Sequence, residues 1–272
     1  MPRHPDAEDR MPVLPVWLQG FGRRLAPWLM PALIVVAWQL LSEHGYLPAR
    51  ILPAPSAVIK AGIRLGRSGE LFEHIRASTQ RAAMGFLIGG AIGMGLGVLS
   101  GVSSLAENLL DSTVQMIRNI PHLALLPLVI LWFGIDESAK IVLVSLGVFF
   151  PIYINTFHGI RNTDPNLMEM ARVYGLRGFG LFRNVVFPGA LPSIMVGVRY
   201  ALGITWLTLI VAETIATTSG IGYLAMNARE FMQTDIVVLA ILLYALLGKF
   251  CDSATRMLER RLLKWHPAYR SA

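Results

Sequence analysis

The chain alternates between long apolar blocks and shorter polar segments. Three of the blocks carry no charged residue, at 25–41, 82–106 and 141–160. A helix needs about 20 mainly apolar residues to cross the hydrocarbon core of a membrane, with some latitude for tilt. The pattern therefore predicts six membrane-spanning helices, at 26–41, 81–103, 107–133, 139–157, 191–212 and 235–257. The third contains Pro121 and Pro127, which remove helix hydrogen bonds, so it is predicted to be tilted or broken.

The composition agrees with an all-α, polytopic membrane protein. Hydrophobic residues make up 54% of the 272 residues and charged residues 15%, unlike a soluble domain. We predict a cytoplasmic tail at 1–24, a membrane domain at 25–257 and a cytoplasmic tail at 258–272. If both termini are inside, thirteen Lys and Arg residues lie on the inside and six on the outside. The thirteen are in the two tails with their flanking residues and in the loop 158–187. Five of those six lie at 50–76, a longer segment with its own amphipathic helices that is partly exempt from the positive-inside rule.

Other functional classes are disfavoured by the composition and the residue spacing. The net charge of +7 reflects basic residues beside the spans, and no basic-aromatic motif indicates a nucleic-acid partner. The single cysteine, Cys251, excludes an intrachain disulfide and a cysteine-based metal cluster. His122 and His158 are isolated and lack ligand spacing, so we predict no metal site.

The second predicted span carries glycine at every fourth position. These residues are Gly85, Gly89, Gly93, Gly97 and Gly101. Small residues at this spacing form a ridge that lets two helix backbones approach closely in lipid. The pattern favours helix packing within the chain, and a subunit interface is the alternative.

The polar loop 158–187 contains the signals of a short amphipathic helix. Asp164 and Pro165 are typical of a helix start, an N-cap followed by proline at the first position. An apolar stripe at helical spacing follows, and Gly175 or Gly178 would end the helix. The residues of the stripe are Leu167, Met170, Ala171 and Tyr174. Such a helix suits the groove of a partner protein or, alternatively, the bilayer surface.

The same loop resembles the EAA coupling loop of bacterial ABC importer permeases, whose pattern is Glu-Ala-Ala, three residues, Gly, nine residues and Ile-x-Leu-Pro. The matching residues are Glu169, Ala171, Gly175 and Pro188. The departures are Met170, Phe187 and, mildly, Val185. Further stretches make the chain similar to the permeases of aliphatic sulfonate importers almost throughout, at 51–53, 118–124, 131–140, 151–156, 220–230 and 265–269. The permeases for taurine, nitrate and thiamine precursors share this layout.

The resemblance implies a type I ABC importer permease fold in the bacterial inner membrane. It further implies a homodimer that works with two copies of a cytoplasmic ATPase and with a periplasmic substrate-binding protein. The coupling residues would be Glu169, Met170, Ala171, Tyr174, Gly175 and Pro188. The chain itself would be neither an enzyme nor a cofactor-binding protein, because ATP would be bound by the partner. In agreement, Gly248-Lys249-Phe250 lacks the remainder of a phosphate-binding loop.

Ionisable residues inside spans are functional candidates because their burial in lipid is costly. Arg118 and Arg199 could face a central path and attract a sulfonate, and His122 lies close to Arg118 in the sequence. Alternatively, the side chains of both arginines could extend to the membrane interface. Glu213 is expected to pair with a basic residue or to cap the following turn. An ion-coupled secondary transporter is the less favoured alternative, since no inverted repeat is visible.

Overall fold

The computed structural model of the protein describes residues 16–215 and 217–265, with side chains from residue 29 onward. Within these residues the secondary structure is entirely helical, which confirms the all-α prediction. The predicted tails lie partly outside the described residues, at 1–15 and 266–272.

Ten helices follow one another along the described chain. The first five are α1 (Val16–Glu43), α2 (Pro55–Ser68), α3 (Glu70–Val102), α4 (Ser104–Ile117) and α5 (His122–Phe133). The next five are α6 (Glu137–Arg161), α7 (Pro165–Val173), α8 (Gly178–Ile215), α9 (Ile221–Glu230) and α10 (Thr234–Leu262). Helices α3, α6, α8 and α10 are long and apolar enough to cross a membrane, and α4 with α5 forms a fifth, bent candidate. The described apolar part of α1, Leu29–Glu43, is shorter.

Two long helices begin well before the predicted spans. Helix α3 starts at Glu70 rather than at residue 81, because Glu70 and Glu73 place acidic side chains favourably at a helix N-terminus and extend the helix through polar sequence. Helix α8 starts at Gly178 rather than at residue 191, and it includes a π-helical segment, Phe182–Val186. Hydropathy locates the part of a helix inside lipid and not the helix ends.

Helix α3 packs along α6 through the glycine ridge. A Cβ atom on Gly93 would lie 2.6 Å from the carbonyl oxygen of Phe149, and one on Gly101 would lie 2.8 Å from the Ile160 side chain. Gly95, on the other side of α3, has open space at its Cβ position. The structure therefore uses the ridge for close packing within the chain, where any larger residue would push the helices apart.

The third predicted span is broken. Helices α4 and α5 meet at an angle of 80°, and Pro121 stands directly before α5, where its missing N–H breaks the helix. The start of α5 is held by His122, whose Nε2 lies 2.8 Å from the hydroxyl of Thr208 on α8. A Cβ on Gly147 of α6 would lie 3.2 Å from the same imidazole. The second half of the broken span is therefore fixed between α6 and α8.

Candidate functional site

Helix α7 lies between the ends of α6 and α8 and starts as the sequence predicts. The side chain of Asp164 accepts a hydrogen bond of 2.8 Å from the backbone N–H of Asn166. Pro165 occupies the first helical turn, where its missing N–H costs nothing. Both signals are local, so the helix start is defined by the loop sequence itself.

The helix ends in a Schellman motif around Gly175. Gly175 has φ +88°, a left-handed conformation that favours glycine. The N–H of Leu176 donates to the carbonyl of Ala171, and the N–H of Gly175 donates to the carbonyl of Arg172, both at 3.0 Å. These bonds satisfy carbonyls that the end of a helix leaves free, and they turn the chain towards α8.

The predicted apolar stripe of α7 divides into an inner and an outer part. Ala171 is buried, and Met168 packs against the cluster of apolar side chains at the adjoining ends of α6 and α8. Leu167, Met170 and Tyr174 are exposed, with Tyr174 at 81%. A nine-residue helix with this much exposed apolar surface has the character of a binding surface rather than of a solvated loop.

Two further residues of the loop pattern differ in their burial. Glu169 is exposed on α7 and adds a negative charge to its outer face. Pro188 is half-buried, two residues after the π-helical segment Phe182–Val186. Because proline cannot donate to the preceding turn, a local change in helix hydrogen bonding is expected there.

The three residues suggested for a substrate path are not gathered into one site. Arg118 is exposed at the corner of the broken span, whereas His122 is half-buried and bonded to Thr208. Arg199 lies nine residues before Thr208 on α8, which corresponds to about 14 Å along the helix. If all three residues contact the substrate, they therefore do so at separate points, along α8 and at the corner of the broken span.

Arg199 borders an open cavity of about 380 Å³ between α8 and α10. Tyr200 and Leu207 on the same wall are strongly exposed. Its guanidinium lies 3.8 Å from Glu259, and Asp252 lines the same cavity. The cavity thus combines one cation and an apolar wall with nearby carboxylates that moderate the positive charge.

A buried ionic cluster lies at the end of the bundle opposite α7. Arg81 donates from Nε and Nη2 to both oxygens of Glu137, at 2.5 and 2.7 Å. Its Nη1 donates to Glu213 at 2.7 Å, and further bonds reach the carbonyl and hydroxyl of Ser219 at 2.7 and 2.8 Å. All five N–H groups of the guanidinium are satisfied, which is what the burial of such a charge requires.

The carboxylate of Glu213 is equally saturated. It accepts hydrogen bonds from Ser78 at 2.8 Å, from the Gly222 backbone at 2.9 Å and from the Tyr244 hydroxyl at 2.9 Å. With Arg81 these contacts tie α3, α8, α9 and α10 together. Since Glu137 and Lys140 also pair, at 3.1 Å, the cluster holds two positive and two negative charges.

The expectation that Glu213 pairs with a basic residue is confirmed, but the sequence did not indicate Arg81 as the partner. The hydropathy pattern puts Arg81 at the edge of a predicted span, where an arginine needs no partner. Because α3 starts at Glu70, Arg81 instead lies three turns inside a helix and is only 5% exposed. The available signal was that Arg81, Glu137 and Glu213 flank their apolar blocks on the same side of the predicted membrane.

Comparison with known proteins places the chain among transport permeases. Residues 90–264 match the family described as binding-protein-dependent transport system inner membrane component. The chain is 64% identical over 246 residues to the aliphatic sulfonates transport permease protein SsuC of Escherichia coli, covering 90% of this chain and 94% of that protein. It is 47% identical over 252 residues to the SsuC protein of Bacillus subtilis, covering 91% of each.

The fold has a counterpart among solved structures. A chain of the inward-facing MetNI methionine ABC transporter superposes with a TM-score of 0.54 at 19% identity, covering 66% of this chain and 92% of that one. At this identity the likeness concerns the fold, which is that of type I ABC importer permeases. The family match, the close relatives and the helical bundle agree, and the chain belongs to the inner membrane components of binding-protein-dependent transport systems.

Proposed function

We propose that this chain is the permease subunit of an ATP-driven importer of aliphatic sulfonates. The observation that supports this substrate class is the 64% identity between this chain and a sulfonate permease over nearly the whole of both chains. Taurine, nitrate and thiamine-precursor permeases share the layout, so they define the competing substrates. The chain is not itself an enzyme, since family members work with a separate ATPase and a binding protein.

In the proposed assembly, two copies of the permease stand on two copies of the ATPase, with both termini in the cytoplasm. The exposed face of α7, formed by Leu167, Met170 and Tyr174, would fill a groove of the ATPase. On the inner face, Met168 packs against the apolar cluster at the ends of α6 and α8, and Ala171 is buried. Closure of the ATPase pair would therefore move α7 and, through these contacts, the spans on either side of it.

The transport path is proposed along the exposed face of α8 that carries Arg199, Tyr200 and Leu207. The described chain leaves this face open, so a second copy could enclose it. A guanidinium beside an apolar wall suits an anion with an aliphatic tail, and the neighbouring carboxylates would keep binding weak enough for release. Arg118, at the corner of the broken span, would provide a second positive charge along the way.

Complementation tests the substrate class. An Escherichia coli strain that lacks both its sulfonate permease and its taurine permease, but keeps the ATPases and binding proteins of both importers, would express this chain, with ethanesulfonate, taurine or sulfate as the sole sulfur source. We expect growth on ethanesulfonate to be restored. Correct membrane insertion with growth restored on taurine alone, or on neither organosulfur source, would overturn the sulfonate assignment.

The path is tested by removing its positive charges. Arg118→Ala and Arg199→Ala should each lower sulfonate uptake into proteoliposomes several-fold, while ATP hydrolysis by the assembled complex stays measurable. Arg76→Ala, an exposed arginine at the far end of α3, serves as the control. If both path variants transport like the control, these arginines are structural.

A further inference from the structure

A cavity of about 770 Å³ lies at the α7 end of the bundle, between α3, α6, α7 and α8. Its walls are mainly apolar and include Val98, Val102 and Phe182. The guanidinium groups of Arg161 and Arg172 border the same space. The volume is in the range of sites that hold small organic ligands. Because guanidinium groups pair well with oxyanions, two of them beside an apolar wall suit an anion that also has an apolar part.

The two arginines differ in how far their charge is already compensated. Arg161 pairs with Glu107, and about a third of each of these side chains stays exposed. Arg172 is exposed and forms no salt bridge with any residue that the structure describes. Glu169, on the same helix as Arg172, does not line the cavity. Glu107 therefore balances one of the two guanidinium charges, and the cavity keeps a net positive charge that a bound anion would neutralise.

The cavity lies where the apolar parts of its wall helices end. The charge-free stretch of α6, 141–160, is just long enough to cross the hydrocarbon core, and Arg161 follows it directly. The end of α3 lies at the same level, because a Cβ atom on Gly101 would be 2.8 Å from the side chain of Ile160. The first charged residue after an apolar stretch of this length lies among the lipid headgroups. The cavity is therefore at the depth of the phospholipid phosphates.

The two surfaces already proposed for protein partners face away from this cavity. Successive residues of an α-helix are about 100° apart around its axis. Arg172 therefore lies about 140–160° from the exposed apolar face of α7, which the ATPase would cover. On α8, Val186 of the cavity wall lies about 140° from Arg199, which faces the proposed path and the second copy. Neither of these partners would fill the cavity, whereas lipid surrounds the bundle at this depth.

We propose that this cavity binds the headgroup of an anionic phospholipid, with the phosphate at Arg161 and Arg172 and an acyl chain along Val102, which is 56% exposed. A zwitterionic headgroup would bring its own ammonium group to the two guanidinium groups, whereas phosphatidylglycerol brings only negative charge. The proposal rests on the proposed function for the side of the membrane, which makes the lipid one of the cytoplasmic leaflet. Because the bound lipid would contact α3, α6 and α7 together, it would help to hold α7 against the spans.

Lipid preference at the cavity tests the proposal in the assembled transporter. The permease with its ATPase is placed in nanodiscs that contain equal amounts of phosphatidylglycerol and phosphatidylcholine. In a Cys251→Ser background, a photoreactive label on Val102→Cys should form adducts with phosphatidylglycerol several-fold more often than with phosphatidylcholine. Adding Arg172→Gln should bring this ratio close to one. Arg177→Gln is the control and should leave the ratio unchanged, because Arg177 is an exposed arginine of the same loop outside the cavity lining.

Three results would overturn the proposal. The first is a ratio near one when both arginines are present, and the second is an equal preference with and without Arg172→Gln. The third is an adduct mainly with the ATPase, with a second permease or with residues 1–15, which would assign the cavity to a protein segment.

A soluble anion is distinguished from a lipid by a second measurement on the same complex. A short-chain phosphatidylglycerol should raise the thermal unfolding midpoint of the permease, and it should do so less in the Arg172→Gln variant. Glycerol phosphate at the same concentration should have no such effect, and an equal rise would assign the site to a soluble phosphate instead. Neither measurement uses a sulfonate, so a failure of this proposal is distinguishable from a failure of the complementation on ethanesulfonate.

Discussion

The two ends of this helical bundle differ in which side chains they expose and which they bury. At one end α7 exposes apolar side chains, and it is held by Ala171, Met168 and two backbone capping bonds. At the other end Arg81 and Glu213 are buried and saturated with hydrogen bonds that connect five helices, α3, α6, α8, α9 and α10. The first end leaves apolar side chains of α7 uncovered in this chain, whereas the second end pairs its buried charges within the chain.

The ion pairs show the same contrast. Arg161 and Glu107 pair near α7 with about a third of each side chain exposed, so solvent screens them and the pair contributes little. Arg81 and Glu213 lie at 5% and 0% exposure, and the loss of one would leave the other charged and buried. Stability should therefore depend on the cluster end, and coupling to ATP on the α7 end.

The largest effect on stability is expected from Arg81→Met. It leaves Glu213 buried without its cation, which costs about 3–5 kcal/mol of unfolding free energy. We expect a large fall in the thermal unfolding midpoint of the detergent-solubilised protein, or loss of the folded protein.

A milder variant keeps this test decisive if Arg81→Met does not fold. Glu137→Gln alters the member of the cluster whose side chain is 58% exposed, and it should lower stability by only about 1 kcal/mol. Equal stability of wild type and Arg81→Met would mean that the cluster does not stabilise this end.

The prediction from sequence succeeded for α7 because every signal is local. Asp164, Pro165 and Gly175 lie within twelve residues, and each acts on the backbone next to it. The ionic cluster could not be assembled in this way, because Arg81 is 56 residues from Glu137 and 132 from Glu213. Whether these residues come into contact depends on where each helix begins and ends, and the hydropathy pattern does not define those positions.

Helix α9 shows a second limit of sequence reasoning. It is ten residues long, and its start at Ile221 is fixed by Gly222, whose N–H donates to Glu213. That contact comes from the fold and not from a local capping side chain. The glycine ridge of α3 was recognisable, in contrast, because its period is a property of one helix, although its partner α6 was not.

An intermediate effect on stability is expected from Gly175→Val. A β-branched residue at φ +88° is strained, which costs about 1–2 kcal/mol, although no side chain obstructs the position. Because the strain falls on the turn that orients α7, sulfonate uptake and co-purification of the ATPase should both be largely lost while the permease stays inserted.

Gly69→Val is the matched control for this variant. Gly69 has φ +86° and an equally open Cβ position, but it lies between α2 and α3 at the other end. It should show the same loss of stability with the ATPase still bound. If both valine variants lose the ATPase, the effect is general destabilisation, and α7 is not the docking helix.

The smallest effect on stability is expected from Met170→Ser/Tyr174→Ser. Both side chains are exposed, so their removal should change the unfolding midpoint very little. Their loss removes the anchors that the proposed ATPase groove would cover, so the ATPase should no longer co-purify and uptake should fall by at least tenfold. Phe231→Ser is the control, because Phe231 is 68% exposed at the cluster end. A complex that survives the double substitution would show that α7 contacts something other than the ATPase, and the contrast between the two ends would then concern folding alone.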